Sequence, residues 1–178
     1  MNTADIFAHA TTAGYSAHAT TTGDYAHALT AGYSAHATTT GDYSRASTAG
    51  YYAHATTAGD YAYATTAGND AHASTAGYYA HATTAGDYAY ATTTGNDAHA
   101  TTTGQRAHAS VSGANSIAAA FGANSRARAA DGGFIVLAQY DGDTVVAVKT
   151  AQVGRDGIKP DTWYKLSPTG EFVEVEVE

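Results

Sequence analysis

The chain has no cysteine, two prolines, one methionine and one tryptophan in 178 residues, and only 13% of its residues are charged. The absence of cysteine excludes a disulfide framework. Leu, Ile, Val and Phe are scarce before residue 130, which excludes a conventional hydrophobic core over that stretch. No run of about 18 apolar residues exists, and the N-terminal residues 1–10 lack a basic segment followed by an apolar one. Neither a membrane helix nor an ordinary secretion signal is predicted, and a cytoplasmic protein is the resulting expectation. The 8 Lys and Arg against 16 Asp and Glu leave a formal net charge of −8, which argues against a nucleic-acid backbone or an anionic membrane as partner.

What the chain has instead is glycine in strict register. Thirteen glycines, from Gly14, Gly23 and Gly32 through to Gly122, recur every nine residues. A fixed period sustained over roughly 100 residues denotes a repeat architecture. Behind each glycine stand two variable Tyr, Asp, Ser or Asn positions, then Ala, His or Tyr, Ala, Thr, Thr, and Ala or Thr; the fifth residue after glycine is Ala in every unit, from Ala19 to Ala127. Such a unit fits one short strand plus a turn, because Thr and Tyr favour strands and glycine supplies the corner. Period-two alternation puts Ala17, Ala19 and Thr21 on one face and His18 and Thr20 on the other. The Ala–Ala–Thr face is expected inside, since burying rows of His and Tyr would leave polar groups unpaired at roughly 1–3 kcal/mol each.

The expected fold is all-β: a parallel β-solenoid over residues 1–130, capped by a small C-terminal β-meander over residues 131–178. Small interior side chains cannot fill a wide tube at native packing density, which favours a two-sided coil of two units. Tyr15, Tyr33 and Tyr51 alternating with Asp24, Asp42 and Asp60 at eighteen-residue spacing agree with this. Residues 49–75 and 76–102 are near-duplicates, and that 27-residue period supports the alternative, a three-sided coil of three units. Coils ~4.8 Å apart give a rod on the order of 30 Å long. Residues 4–12 read as a degenerate first unit, with Asp5 in the glycine position and Ile6 and Phe7 sealing the end. Near the other end Ile117 replaces His and Phe121 replaces Ala, as capping repeats depart from the consensus. In the tail, residues 134–140, 144–153 and 171–178 read as strands, with Asp141–Gly142–Asp143 as a tight turn and a short strand between Pro160 and Pro168. Folded onto the last coil, this tail covers an edge that would otherwise invite aggregation.

These units resemble the Gly-x-x-Ser-x-Ala-x-Thr-x repeats of bacterial and phage β-solenoid proteins. Gly113-Ala114-Asn115-Ser116-Ile117-Ala118 and Gly122-Ala123-Asn124-Ser125-Arg126-Ala127 carry that form. Ile158-Lys159-Pro160-Asp161-Thr162-Trp163-Tyr164 and Gly170-Glu171-Phe172 are similar to the short C-terminal domain often attached to such repeats. The resemblance implies a fold, and host cytoplasm for a phage-encoded member; it supplies no activity and no catalytic residues.

No phosphate loop, nucleophile elbow or pair of catalytic carboxylates is present, so no enzyme and no cofactor are predicted. The nine His are the first candidates for chemistry. In a two-sided rod His18, His36, His54 and His72 form one exposed row, the weak candidates for zinc, copper or nickel. Stacked rings are the plainer expectation, because a metal site needs ligands converging at about 2.0–2.1 Å. Like-charged neighbours in that row are expected to lower the His pKa values and to destabilise the fold as pH falls. The calcium-roll signature is missing. Outward Thr rows raise ice binding, but the residue two before each is His or Tyr and spoils a flat Thr array. The third candidate is an interaction surface made by Tyr15, Tyr25, Tyr33, Tyr43, Tyr51, Tyr61 and Tyr79 with Asp24, Asp42 and Asp60. The expected function is therefore a non-enzymatic structural or interaction protein that binds a protein partner or a second copy of itself. The alternatives are a phage or mobile-element inhibitor that blocks a host complex through its acidic rod, and an ice- or metal-binding solenoid.

Overall fold

A computed structural model describes residues 7–155 and 157–176. Two parallel sheets face each other. The first contains β1 (His9–Ala13), β3 (His27–Ala31), β5 (Arg45–Ala49), β7 (Tyr63–Ala67), β9 (His81–Ala85), β11 (His99–Thr102) and β13 (Ile117–Ala120). The second contains β2 (His18–Thr22), β4 (His36–Thr40), β6 (His54–Ala58), β8 (His72–Ala76), β10 (Tyr90–Thr93), β12 (His108–Val111) and β14 (Arg126–Ala129). Successive strands alternate between sheets, so each coil holds two units, and seven coils form the rod.

Register decides the coil size. Ala19 pairs with Ala37, and Ala46 with Ala64, an offset of eighteen residues that holds along both sheets. The three-sided alternative is thereby excluded. The 27-residue duplication has a different consequence in a two-sided coil: three units are an odd number, so each copied residue lands on the opposite sheet. His54 lies on β6 and its copy His81 on β9. The fold tolerates this because both sheets obey the same inward–outward rule.

The core is a stack of small residues. The Ala at the fifth position after glycine is buried in every unit from Ala19 to Ala127, none more than 4% exposed. Beside it run a second column (Ala26, Ala35, Ala53 and their equivalents) and a column of Thr (Thr30, Thr39, Thr57, Thr66). The inward faces are as the alternation predicts, but the Thr column is not free of polar cost. The Oγ1 atoms of Thr30, Thr48, Thr57 and Thr66, among others, are buried without a hydrogen-bond partner. Thr39 differs, because Ser44 stands where Ala is usual and accepts its hydroxyl at 3.1 Å. The column continues as Val111, Ala120 and Ala129, so it accepts apolar residues. Thr57→Val is therefore expected to stabilise the rod by about 1 kcal/mol, removing an unpaired hydroxyl while conserving shape. Urea unfolding of the single variant and of Thr48→Val/Thr57→Val/Thr66→Val checks this; a lower midpoint in either refutes it.

The two ends differ. Phe7 is 68% exposed and packs 5.6 Å from Tyr25, at the side of the rod, so it does not seal the core. Asp5 and Ile6, which the sequence places in the same sealing unit, lie outside the described residues. At the C-terminal end β15 (Phe134–Asp141) pairs parallel with β13, so the solenoid runs one strand past residue 130. Its offset is seventeen, Phe134 facing Ile117, because the corner over residues 130–133 is one residue shorter than its predecessors. β16 (Thr144–Gln152) returns antiparallel on β15, and Gly142 (φ +57°) makes the tight turn the sequence predicts. β17 (Tyr164–Leu166) pairs antiparallel with β14, and β18 (Phe172–Glu174) with β17. The tail is thus two hairpins, one closing each sheet, where the sequence suggests one meander. β18 ends at Glu174, short of the expected 171–178, and residues 177–178 lie outside the described chain. Apolar burial concentrates here, in Ile135, Leu137, Val153, Ile158 and Tyr164.

Candidate interaction surface

Every glycine of the nine-residue repeat opens a corner, and the two residues after it form the narrow edges of the rod. At most corners the second residue adopts a left-handed backbone: Tyr25, Tyr43, Tyr61 and Tyr79 have φ of +59°, +58°, +56° and +54°. This conformation costs an L-residue with a Cβ roughly 1–2 kcal/mol. Asn suits it better, and Asn115 and Asn124 hold the same position in the last units. The flipped peptide sends the Tyr43 N–H to the Asp60 carbonyl of the next coil at 2.8 Å. The preceding N–H, that of Asp42, is taken by the Asp24 carboxylate at 3.0 Å. Asp60 N–H donates likewise to Asp42, and Tyr78 N–H to Asp60, both at 2.8 Å. Asp24, Asp42 and Asp60 therefore have a structural task as well as a charge: each replaces a backbone acceptor.

The predicted surface residues divide between the two edges. Tyr25, Tyr43, Tyr61 and Tyr79 stack along one edge with centroids 5.0, 4.9 and 5.1 Å apart and planes within 14° of parallel. Asp24, Asp42 and Asp60 precede them on the same edge. Tyr15, Tyr33 and Tyr51 stack on the other edge, at 5.1 and 5.6 Å. The Tyr25–Tyr79 ladder is 40–45% exposed, so each ring is held on both sides yet presents its rim to solvent. Desolvation between neighbouring rings, then the nearby Tyr61 and Tyr25, keeps the Tyr43 phenol above its ordinary pKa and neutral.

The broad faces carry a second set of ladders. On the β2–β14 sheet His18, His36, His54, His72, Tyr90 and His108 stack continuously at 4.4–4.8 Å. The column ends on Trp163, whose ring meets His108 edge-on at 5.2 Å while Arg128 lies 4.8 Å over the indole. The predicted metal candidates are thus brought side by side, in a geometry unsuited to chelation. The rings of His18 and His36, of His36 and His54, and of His54 and His72 lie within 5° of parallel. Their in-plane lone pairs run parallel and do not converge on one ion. Among the described residues no group of three or more His, Cys, Asp or Glu is placed to hold a metal. The stacking also flanks the outward Thr20, Thr38 and Thr56 with a wall of rings, as the sequence suggests.

No family model, curated protein or solved structure matches this chain. No helix among the described residues is long and apolar enough to cross a membrane. The surface therefore has to be read from its own geometry. Sequence reasoning passed over Tyr52, Tyr78 and Tyr88, exposed corner residues; Tyr52 and Tyr78 meet ladder rings edge-on, and Tyr88 lies under Arg106. Counting both positions after every glycine would have found them. It also passed over Arg106, Arg126 and Lys165; no sequence signal joins them, because Lys165 comes from the tail.

Proposed function

We propose that this chain is a non-enzymatic interaction scaffold that binds a protein partner along its Tyr25–Tyr43–Tyr61–Tyr79 edge. One observation carries the reading: of six tyrosines in left-handed corner positions, which the fold itself fills more easily with Asn, four stand in register along this one edge. Backbone strain of this kind gathers where function requires a particular side chain. Stacking returns part of the strain, at ~0.5–1.5 kcal/mol per aromatic pair. The ladder loses little side-chain entropy on binding, because its rings are already held. Asp24, Asp42 and Asp60 lie beside the rings; the only cation before Arg106 is Arg45, which opens β5 two residues after Tyr43 and lies 5.1 Å over the Tyr63 ring. A partner face with Lys or Arg among apolar residues is the complement, since cations favour both the carboxylates and the tyrosine rings. An inhibitor that occupies a basic groove of a host complex fits the same chemistry, and so does the resemblance to phage repeats.

The test uses Tyr25→Asn/Tyr43→Asn/Tyr61→Asn/Tyr79→Asn, which keeps a residue suited to each corner. A stoichiometric partner captured by the wild-type rod is expected to bind the variant at least about tenfold more weakly, a loss of ~1.4 kcal/mol or more. Equal capture by both proteins rejects this edge as the binding surface. Sedimentation of the rod alone separates self-association from binding a different protein.

A further inference from the structure

Two outward columns run side by side where one edge meets the β2–β14 sheet. One carries Ser16, Ser34, Tyr52, Asp70, Tyr88, Arg106 and Asn124, the second residue after every other repeat glycine from Gly14 on. The other carries the His18 ladder and ends in Tyr90, His108 and Arg126. Through the first coils these columns hold no cation. In the last two they hold Arg106 and Arg126, and β17 lays Lys165 against the same spot. The three cations line an open groove of about 520 Å³ with Tyr88, Tyr90 and His108.

Nothing in the repeat requires charge here, because both positions face solvent and accept Ser, His or Asn elsewhere. Among the described residues the cations are also without acidic partners. Among the described residues the ion pair present joins Lys159 to Glu174, outside the groove. Arg106 donates to the Tyr88 phenol at 2.5 Å, and Arg126 to the backbone carbonyl of Glu176 at 3.1 Å. Each guanidinium carries five donors, so most of that capacity remains for a ligand. The fold thus holds three like charges together, in a protein of net charge −8, with no internal neutralisation among the described residues.

We propose that this groove binds a small, multiply charged oxyanion of phosphate chemistry, gripped by the Arg106 and Arg126 guanidinium groups and the Lys165 ammonium. Guanidinium forks match phosphate oxygens in pairs, and an ammonium adds a point charge. The size is bounded by the surroundings. Asp70 precedes Tyr88 in the same column, and Asp87 is its neighbour at the corner, so a long polyanion leaving the groove along the rod meets acidic residues. A phosphate monoester or diphosphate fits within those limits, and a nucleic-acid strand does not.

Titration of the full chain with inorganic pyrophosphate at low ionic strength, followed by calorimetry, tests this. Saturable binding is expected, weakening as salt rises. Arg106→Gln and Arg126→Gln are each expected to raise Kd about tenfold or more, and Lys165→Gln to weaken it as well. Lys159→Gln is expected to leave binding unchanged, because that side chain is committed to Glu174. Circular dichroism shows whether each variant folds, and Lys165→Gln, on the short tail strand, carries the test should either arginine variant fail. A phosphodiester oligonucleotide serves as a second probe; binding tighter than pyrophosphate would overturn the small-ligand assignment. Absence of saturation below about 10 mM pyrophosphate, or equal affinity in the folded variants, would overturn the site itself.

Discussion

Gly59→Ala is expected to destabilise the protein by on the order of 3–5 kcal/mol, combining a strained backbone with overpacking against the neighbouring coil. Gly59 has φ +148°, and a Cβ there would fall on the Gly41 carbonyl and within 2.9 Å of the Asp42 nitrogen. Both obstacles are backbone, held by the corner hydrogen bonds of the coil below, and neither can rotate away. Gly14 is the matched control: its φ is +154°, yet nothing lies within 4 Å of its Cβ position. Gly14→Ala should therefore show the conformational penalty alone, and the difference between the variants measures the steric part. Because each coil touches only its neighbours, the damage should be local. Amide exchange is expected to accelerate from about Gly41 to Gly77 and to stay slow around Ile135 and Leu137. Similar unfolding midpoints for Gly59→Ala and Gly14→Ala would refute the close-packed corner.

Acid is expected to have the second large effect. Burial beneath Trp163, and then the Arg126 charge one coil on, lower the His108 pKa from 6.5 to about 4. His27, His36, His54 and His81 are also lowered, in each case first by burial and then by a neighbouring ring. His72 is lowered by burial, with Asp70 acting against the shift. Like-charged neighbours, which the sequence suggests as the cause, come second to desolvation by the stacked rings. Between the two pKa values the unfolded chain holds a proton that the folded chain lacks. The stabilisation is therefore complete above pH 6.5 and disappears as pH falls towards 4. For His108 alone it is on the order of 3 kcal/mol, at ~1.4 kcal/mol per pKa unit. The groups around it are Tyr90, Trp163, Arg126 and Arg128, with Arg106 and Lys165 in the same groove; no carboxylate among the described residues pairs with those cations to offset the effect. His108→Phe keeps a ring against Tyr90 and removes the titration, so its melting temperature should fall less than the wild type's between about pH 7 and pH 4.5. An unchanged slope in that variant would show that His108 does not carry the acid sensitivity.

Much of the fold was legible because the repeat states one rule many times. Glycine at nine-residue spacing marks the corners, and the alternation of His18, Ala19, Thr20 and Thr21 sorts outside from inside. The abrupt change after Gly122 marks the end of the regular coils. The candidate surface was legible only as a list. Tyr15 and Tyr25 stand ten residues apart in the chain, yet they lie on different edges, because one unit crosses the rod from edge to edge. The left-handed backbone at Tyr43 was not readable, since Tyr is a poor signal for it. Nor was the second task of Asp42, which depends on a peptide flipped in the adjacent coil.

The sequence by itself determined the period, the strand faces and the existence of a distinct tail, because these follow from local propensity and side-chain alternation repeated in every unit. Only the tertiary structure decided that two units close a coil, since the eighteen- and 27-residue periods coexist in the chain and only pairing between coils selects one. It also decided which rings share an edge, how far burial lowers the His pKa values, and that Arg106, Arg126 and Lys165 meet. Those outcomes depend on contacts between residues eighteen or more positions apart, and local preference carries no information about such contacts.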